Sequence, residues 1–274
     1  MILDGQALAS EVLVRAKARA TILDTAPEVI AIVANETSAT KSYLSIKEKR
    51  ATDAGCVLHM KRFDADVSVE RLEQAVSAAS SEADAVVVQL PLPAGVDART
   101  VCDAIPFDKD PDVLSSAARM KFEADESDAL IPPVASALAK ILAAGDIDPK
   151  GKKAVVIGMG WLVGRPCATW LSHAGADVSH VTDEFGTIAI LGEADIIVSG
   201  VGSPHFIQPE MLKEGVVLID AGTSESNGKV AGDADPSCAE KCSLFTPVPG
   251  GVGPLAVACL FENAVTLAER AIYT

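Results

Sequence analysis

Tyr43 and Lys47 stand four residues apart in an expected helix over residues 39–55, so their side chains share one face. A phenol beside an ammonium can lower the lysine's pKa and supply a proton-transfer pair, although a solvated helix surface gives the same spacing. Gln89 ends the apolar run 85–89, immediately before Leu90-Pro91-Leu92-Pro93. The carboxyl ends of parallel strands are where α/β proteins hold ligands, and a carboxamide both donates and accepts. Asp110 and Asp112 flank Pro111; they could carry a carboxylate to such a site or serve equally as turn acids.

A second kind of chemistry is written in KKAVVIGMGWLVGRP, residues 152–166. An apolar strand runs into Gly158-Met159-Gly160-Trp161-Leu162-Val163-Gly164-Arg165, and a helix is expected from about Val163. Glycines there let the backbone approach a pyrophosphate, and the helix start offers free N–H groups and a positive dipole end. The spacing G-x-G-x-x-x-G is one residue longer than the usual dinucleotide fingerprint. The next expected strand ends at Asp183 and Glu184, near the usual offset of ~20 residues for the acid that binds the adenosine ribose. A carboxylate accepts from a 2′-hydroxyl and repels a 2′-phosphate. No Arg or Lys lies between Arg165 and Lys213 to neutralise such a phosphate, so NAD is favoured over NADP. Two solvated loop acids are the plainer reading of Asp183 and Glu184. The segment Thr246 to Pro254, TPVPGGVGP, fixes a particular backbone path that could line a ligand site or serve as a rigid crossover.

The elements that must position these groups alternate. Helix 5–20, strand 29–33, helix 39–55, strand 57–60, helix 68–82 and strand 85–89 imply parallel pairing with right-handed crossovers. Residues 91–132, with five prolines and a sixth at Pro133, and an acidic stretch at 123–128, interrupt the rhythm and read as a linker or active-site connection. Helix 133–144, strand 153–157, helix 163–174, strands 177–181, 195–199 and 216–220, and helix 252–272 complete the chain. The fold class is therefore α/β with two lobes joined by a proline-rich hinge.

The 274 residues carry 23 Lys and Arg against 38 Asp and Glu, a net charge of −15. That balance argues against nucleic acid, whose phosphates are bound by displacing counterions with basic side chains, and against an anionic membrane surface. The amino terminus lacks a signal peptide's basic start and unbroken apolar core, and a cytoplasmic location is expected. Six dispersed cysteines and four unclustered histidines predict no metal site. Residues 41–62 hold six basic side chains against Glu48 and Asp53, a local basic patch that could steer an anionic substrate.

Y-x-x-x-K at 43–47, VQLPLP at 88–93, K-D-x-D at 109–112, VGRP at 163–166 and TPVPGGVGP at 246–254 occur together and in this order. In these motifs the chain resembles the FolD family, the bifunctional methylenetetrahydrofolate dehydrogenases/methenyltetrahydrofolate cyclohydrolases, over essentially its whole length. The resemblance implies a folate-binding catalytic lobe over 1–122 completed by 252–274, a Rossmann-like dinucleotide-binding lobe over 133–251, a last helix returning to the first lobe, and a homodimer. It implies Lys47 as the key lysine of the cyclohydrolase step, Tyr43 stacking on or positioning the folate, Gln89 tuning Lys47, and Asp112 holding the pterin edge. Leu90, Pro91, Pro249, Gly250, Gly251, Val252, Gly253 and Pro254 would line the folate pocket, and Gly158 to Arg165 the cofactor pyrophosphate.

The chain departs from the family pattern in places. Val113-Leu114-Ser115-Ser116 stand for G-F-H-P, Leu130-Ile131-Pro132-Pro133 for P-C-T-P, and Leu255-Ala256 for M-T. Gly158-Met159-Gly160 replaces G-R-S, and Val181-Thr182-Asp183-Glu184 replaces the C-H-S-x-T strand end. The last two changes remove groups associated with the NADP phosphate. The pocket-rim changes leave open a member with one of the two activities, or a folate or nucleotide sensor without catalysis.

Overall fold

The structure, a computed structural model, describes the chain except residues 35–37, 183–187, 227–228 and 273–274, and describes residues 38–43, 188, 225–226 and 229 by backbone alone. In chain order the helices and strands are α1 (Gly5–Ala20), β1 (Glu28–Val33), α2 (Ser38–Asp53), β2 (Val57–Arg62), α3 (Val69–Glu82), β3 (Ala85–Val88), α4 (Ala98–Asp103), α5 (Ser116–Glu123) and α6 (Pro133–Ala144). They continue through β4 (Lys153–Ile157), α7 (Gly164–His173), β5 (Asp177–Val181), β6 (Ile196–Ser199), β7 (Val216–Asp220), β8 (Ser224–Ser226), β9 (Lys229–Ala231), β10 (Cys242–Phe245) and α8 (Val252–Ile272).

Two compact units result: residues 10–133 with 257–274, and residues 1–9 with 134–256. The first is built on a parallel sheet in the order β2-β1-β3. Its central strand reads EVIAIV, a nearly continuous apolar run, because a parallel strand covered on both faces has no solvent side to make polar. The second is built on a parallel sheet in the order β10-β7-β6-β4-β5, with all of VVLID in β7 buried. The α/β class and the Rossmann-like second unit follow from these sheets.

Three features differ from the sequence expectation. The first nine residues group with the second unit, because Ile2 forms a parallel bridge with Phe245. Leu3 N–H donates to the Phe245 carbonyl at 2.9 Å, and Phe245 N–H donates back to Met1 at 2.9 Å. Residues 91–132 are no linker: they carry α4 and α5 and bury Val101, Cys102, Ile105, Leu114 and Phe122 within the first unit. Proline there separates short helices instead of leaving the chain extended. The edge strand β10 and the antiparallel pair β8–β9 were not expected from periodicity.

Helix α8 is long and apolar enough to cross a membrane, yet 67% of its apolar window is buried inside the protein. Residues 257–274 belong to the first unit, where Arg19 on α1 forms a paired hydrogen bond and ion pair with Glu269. The apolar run therefore covers a protein core.

Candidate active site

Lys47 projects from α2 into the first unit and is only 7% exposed. Its Nζ donates to Gln89 Oε1 at 3.0 Å. Gln89 follows β3, where its backbone N–H continues the sheet by donating to the Ile32 carbonyl. Its Nε2 donates to the Leu90 carbonyl at 2.6 Å. With the amide hydrogens directed to Leu90, Oε1 is the atom presented to the lysine, as the hydrogen-bond network requires.

Burial lowers the Lys47 pKa, and the nearby Asp112 carboxylate partly restores it. Burial likewise raises the Asp112 pKa, and the Lys47 charge opposes that rise. Desolvation disfavours both charged forms at once. The largest cause of the lowered lysine pKa is thus the protein interior. Tyr43 occupies α2 one turn before Lys47, and its side chain lies outside the described residues.

Asp110, fully buried two residues before Asp112, accepts the Ser115 N–H on Oδ2 at 2.7 Å, while its Oδ1 has no hydrogen-bond partner among the described residues. Burial chiefly, and Asp112 in part, push its pKa up to about 6 against the pull of the Ser115 and Leu114 N–H groups. A carboxyl whose pKa is raised in the folded state holds its proton more tightly than the unfolded chain does between about pH 4 and 6. Its stabilising contribution is therefore full below pH 4 and is lost as pH rises through about 6. The Tm of the native protein minus that of Asp110→Asn should be greater at pH 5 than at pH 7.5, by the equivalent of roughly 1–1.5 kcal/mol. A pH-independent difference would show that Asp110 is ionised throughout.

Val113 has φ 56°, the left-handed region that a β-branched residue adopts only at a steric penalty. The motif that the sequence resembles has glycine here, so that departure is a change of backbone tolerance as well as of side chain. Leu90–Pro91 and Val248–Pro249 are both cis.

In the second unit, Gly158 leaves β4 with φ 81°, and α7 begins at Gly164 without a side-chain cap; the Arg165 N–H donates to the Gly160 carbonyl at 3.1 Å and Pro166 carries no N–H. A β-carbon on Gly164 would overlap the Gly158 carbonyl oxygen, whereas one on Gly160 would meet nothing within 4 Å among the described residues. The glycines thus have separate purposes: Gly164 brings the helix start against the turn, and Gly160 leaves its outer side bare. Arg165 Nε donates to the Met159 carbonyl at 3.3 Å, closing the turn. A tight turn, an uncapped helix start and a bare glycine fit a dinucleotide pyrophosphate. Asp183 and Glu184 lie outside the described residues.

Pro249 to Gly251 lead into α8, whose first turn holds Val252, Gly253 and Pro254, and Gly5 N–H donates to the Gly250 carbonyl at 3.0 Å. The structure brings Lys47, Gln89 and Asp112 together in one unit, with Leu90 and Pro91 directly following Gln89. Residues 249–254 and 158–165 belong to the other. Of the basic patch, Lys47 is buried, Lys61 pairs with Glu82 at 2.6 Å and Arg50 with Asp53 at 3.3 Å, which weakens its field.

Two buried carboxylates in the second unit had no sequence signal beyond the end of a strand. Asp220, at the end of β7, accepts from Gly222 and Ala234 N–H, both at 2.9 Å. Asp233 accepts from Ser199 Oγ at 2.7 Å and from the Val201 and Ser203 N–H groups, tying down the exit of β6. Neighbouring Gly222 and Gly232 could not carry a β-carbon without striking these carboxylates. Burial pushes the thiols of Cys56, Cys102, Cys167, Cys238 and Cys242 up, which leaves them poor nucleophiles at neutral pH.

Comparison with known proteins also divides the chain in two, near residues 112–132, but keeps residues 3–9 with the first part and 257–272 with the second. A family model described as tetrahydrofolate dehydrogenase/cyclohydrolase, catalytic domain, matches residues 3–112, and its NAD(P)-binding domain counterpart matches residues 132–272. A Lacticaseibacillus paracasei protein named bifunctional protein FolD is 37% identical over 276 residues, covering 98% of this chain and 97% of its own. The crystal structure of the bifunctional FolD methylenetetrahydrofolate dehydrogenase/cyclohydrolase from Campylobacter jejuni aligns with a TM-score of 0.95 at 29% identity, covering 99% of both chains. A Trypanosoma brucei methylenetetrahydrofolate dehydrogenase-cyclohydrolase complexed with NADP cofactor and inhibitor aligns with a TM-score of 0.94 at 29% identity, covering 100% of this chain and 99% of its own.

Proposed function

The chain belongs to the tetrahydrofolate dehydrogenase/cyclohydrolase family, and from that premise we propose that Lys47, Gln89 and Asp112 carry the hydrolytic step of a bifunctional enzyme. The two reactions are oxidation of 5,10-methylenetetrahydrofolate to the 5,10-methenyl cation and hydrolysis of that cation to 10-formyltetrahydrofolate. The observation that carries the residue assignment is the buried Lys47 amine, held on Gln89 Oε1 beside the Asp112 carboxylate.

A nicotinamide cofactor, when bound, accepts the hydride from the one-carbon bridge. Gly158 to Arg165 would hold its pyrophosphate through the uncapped start of α7 and the bare side of Gly160. In the hydrolytic step a water oxygen bonds to the methenyl carbon. Lys47 Nζ, whose charged form burial disfavours, takes a proton from that water and returns it to N5 as the C–N5 bond breaks. The hydroxyl proton leaves as the formyl C=O forms, so one proton is released for each cation hydrolysed. Gln89 aims the amine by accepting one of its hydrogens, Asp112 holds the pterin edge, and Tyr43, one turn earlier on α2, positions the folate ring. Leu90 and Pro91 complete this side of the folate contact. The part of residues 249–254 in folate binding rests on the motif resemblance alone.

Within the nicotinamide class, we favour NAD. Asp183 and Glu184 follow β5, and no basic residue lies between Arg165 and Lys213 to meet a 2′-phosphate. The expected kcat/KM for NAD exceeds that for NADP by at least about tenfold, a difference of about 1.4 kcal/mol. Parallel assays with methylenetetrahydrofolate check this, and a clear preference for NADP would overturn it. We also place the enzyme in the cytosol, in keeping with six buried free thiols, and assign it a homodimeric state on the family resemblance.

A further inference from the structure

Asn263 lies on α8 among buried Leu260, Phe261, Ala264, Val265 and Leu267, and is itself only 8% exposed. Leucine would bury more apolar surface there, and a carboxamide is tolerated only when its polar atoms are satisfied. Its Nδ2 donates to the Pro111 carbonyl at 2.9 Å and to the Ile131 carbonyl at 3.0 Å. Those two residues bracket the excursion that contains Asp112 and α5. One side chain on the last helix therefore ties together both ends of the segment that delivers a candidate site carboxylate.

The bond to Pro111 has a local consequence. The Pro111 carbonyl belongs to the planar peptide that ends at the Asp112 nitrogen, so holding its oxygen fixes the plane from which Asp112 departs. On the far side, Asp110 accepts the Ser115 N–H at 2.7 Å. Between these two fastenings stands Val113 with φ 56°. Such a conformation persists in a β-branched residue only where the surroundings over-determine it. Clamped at 111 and at 115, the backbone has no route to relax by swinging Asp112 away from Lys47.

We propose that Asn263 is a positioning residue for the hydrolytic step, holding the Pro111–Asp112 peptide so that the Asp112 carboxylate faces Lys47. This rests on the assignment of Asp112 made above. Asn263 touches neither substrate nor reacting atoms; its effect passes through Asp112.

A double-mutant cycle tests the proposal in the full-length enzyme, using hydrolysis of methenyltetrahydrofolate as the assay and Tm as the control. Asn263→Leu is expected to lower kcat/KM by about ten- to a hundredfold, the scale of a small misplacement at a reacting centre. Asn263→Ser, small enough to fold and retaining one donor, should recover part of that loss. In an Asp112→Asn background the same change should cost less than about a further twofold, because groups acting through one another are not additive. Equal losses in both backgrounds, or a fall in Tm with hydrolysis unchanged, would reduce Asn263 to a structural residue and overturn the proposal. If Asp112→Asn alone leaves hydrolysis unchanged, the assignment of Asp112 fails and the inference falls with it. Impaired Asp112→Asn beside fully active Asn263→Leu and Asn263→Ser would refute the inference alone.

Discussion

Lys47→Met should lower the rate of methenyltetrahydrofolate hydrolysis by about 10²- to 10⁴-fold, the range associated with losing a positioned acid–base group. Methionine is unbranched, of similar reach and content in an apolar interior, so the 7% exposed site accepts it, while Asp112 loses the cation that opposes its raised pKa. Gln89 Oε1 loses the donor that stands 3.0 Å away; one unsatisfied acceptor costs about 1–3 kcal/mol, which thermal unfolding would register without abolishing the fold. Hydride transfer should survive in part, because that step moves a hydrogen with two electrons to the nicotinamide and asks no proton of Nζ. The two activities therefore separate in one variant. Hydrolysis at the native rate would remove Lys47 from the chemistry, and equal loss of both activities would make it a substrate-binding group.

The second large effect belongs to the other unit. In Gly164→Ala the new β-carbon overlaps the Gly158 carbonyl oxygen and lies 2.8 Å from the Gly158 carbonyl carbon. Both are backbone atoms, so no rotamer change relieves the clash and the turn between β4 and α7 must open. Cofactor KM should rise by about a hundredfold, since the helix start no longer meets the pyrophosphate in the required geometry. Hydrolysis of supplied methenyltetrahydrofolate, which uses no cofactor, should remain. Gly160→Ala gives the contrasting case, because its β-carbon meets nothing within 4 Å among the described residues. It should fold with native stability and still weaken cofactor binding, because the methyl group occupies the bare side of the turn. Native cofactor affinity in both variants would take the pyrophosphate away from residues 158–165.

Much of the architecture was legible because parallel strands buried on both faces are spelled as unbroken apolar runs. EVIAIV, AVVV, KAVVI and VVLID all became strands within a residue or so of their expected limits. Glycine at 158, 160 and 164 likewise announced a close backbone turn, since only the absence of a β-carbon permits the approach of Gly164 to Gly158. Residues 91–132 were harder to read. Their prolines suggested a connection, whereas the apolar residues between them, Val101, Ile105, Leu114 and Phe122, are spaced too irregularly to declare the short helices they stabilise.

The candidate site divides along the same line. The sequence by itself determined the order of the motifs, the α/β class and the helical spacing of Tyr43 and Lys47, since each depends on residues close together in the chain. Only the tertiary structure decided that Lys47 is buried, because α2 carries so many polar residues that its own pattern favours a solvated face. It showed desolvation as the largest cause of the lowered lysine pKa, an effect of everything packed around the amine. It also moved the first nine residues to the second unit through a bridge from Ile2 to Phe245, and set Asn263 on Pro111, 152 positions away. Such contacts are selected by packing and hydrogen-bond satisfaction across the folded chain, and no local periodicity encodes them.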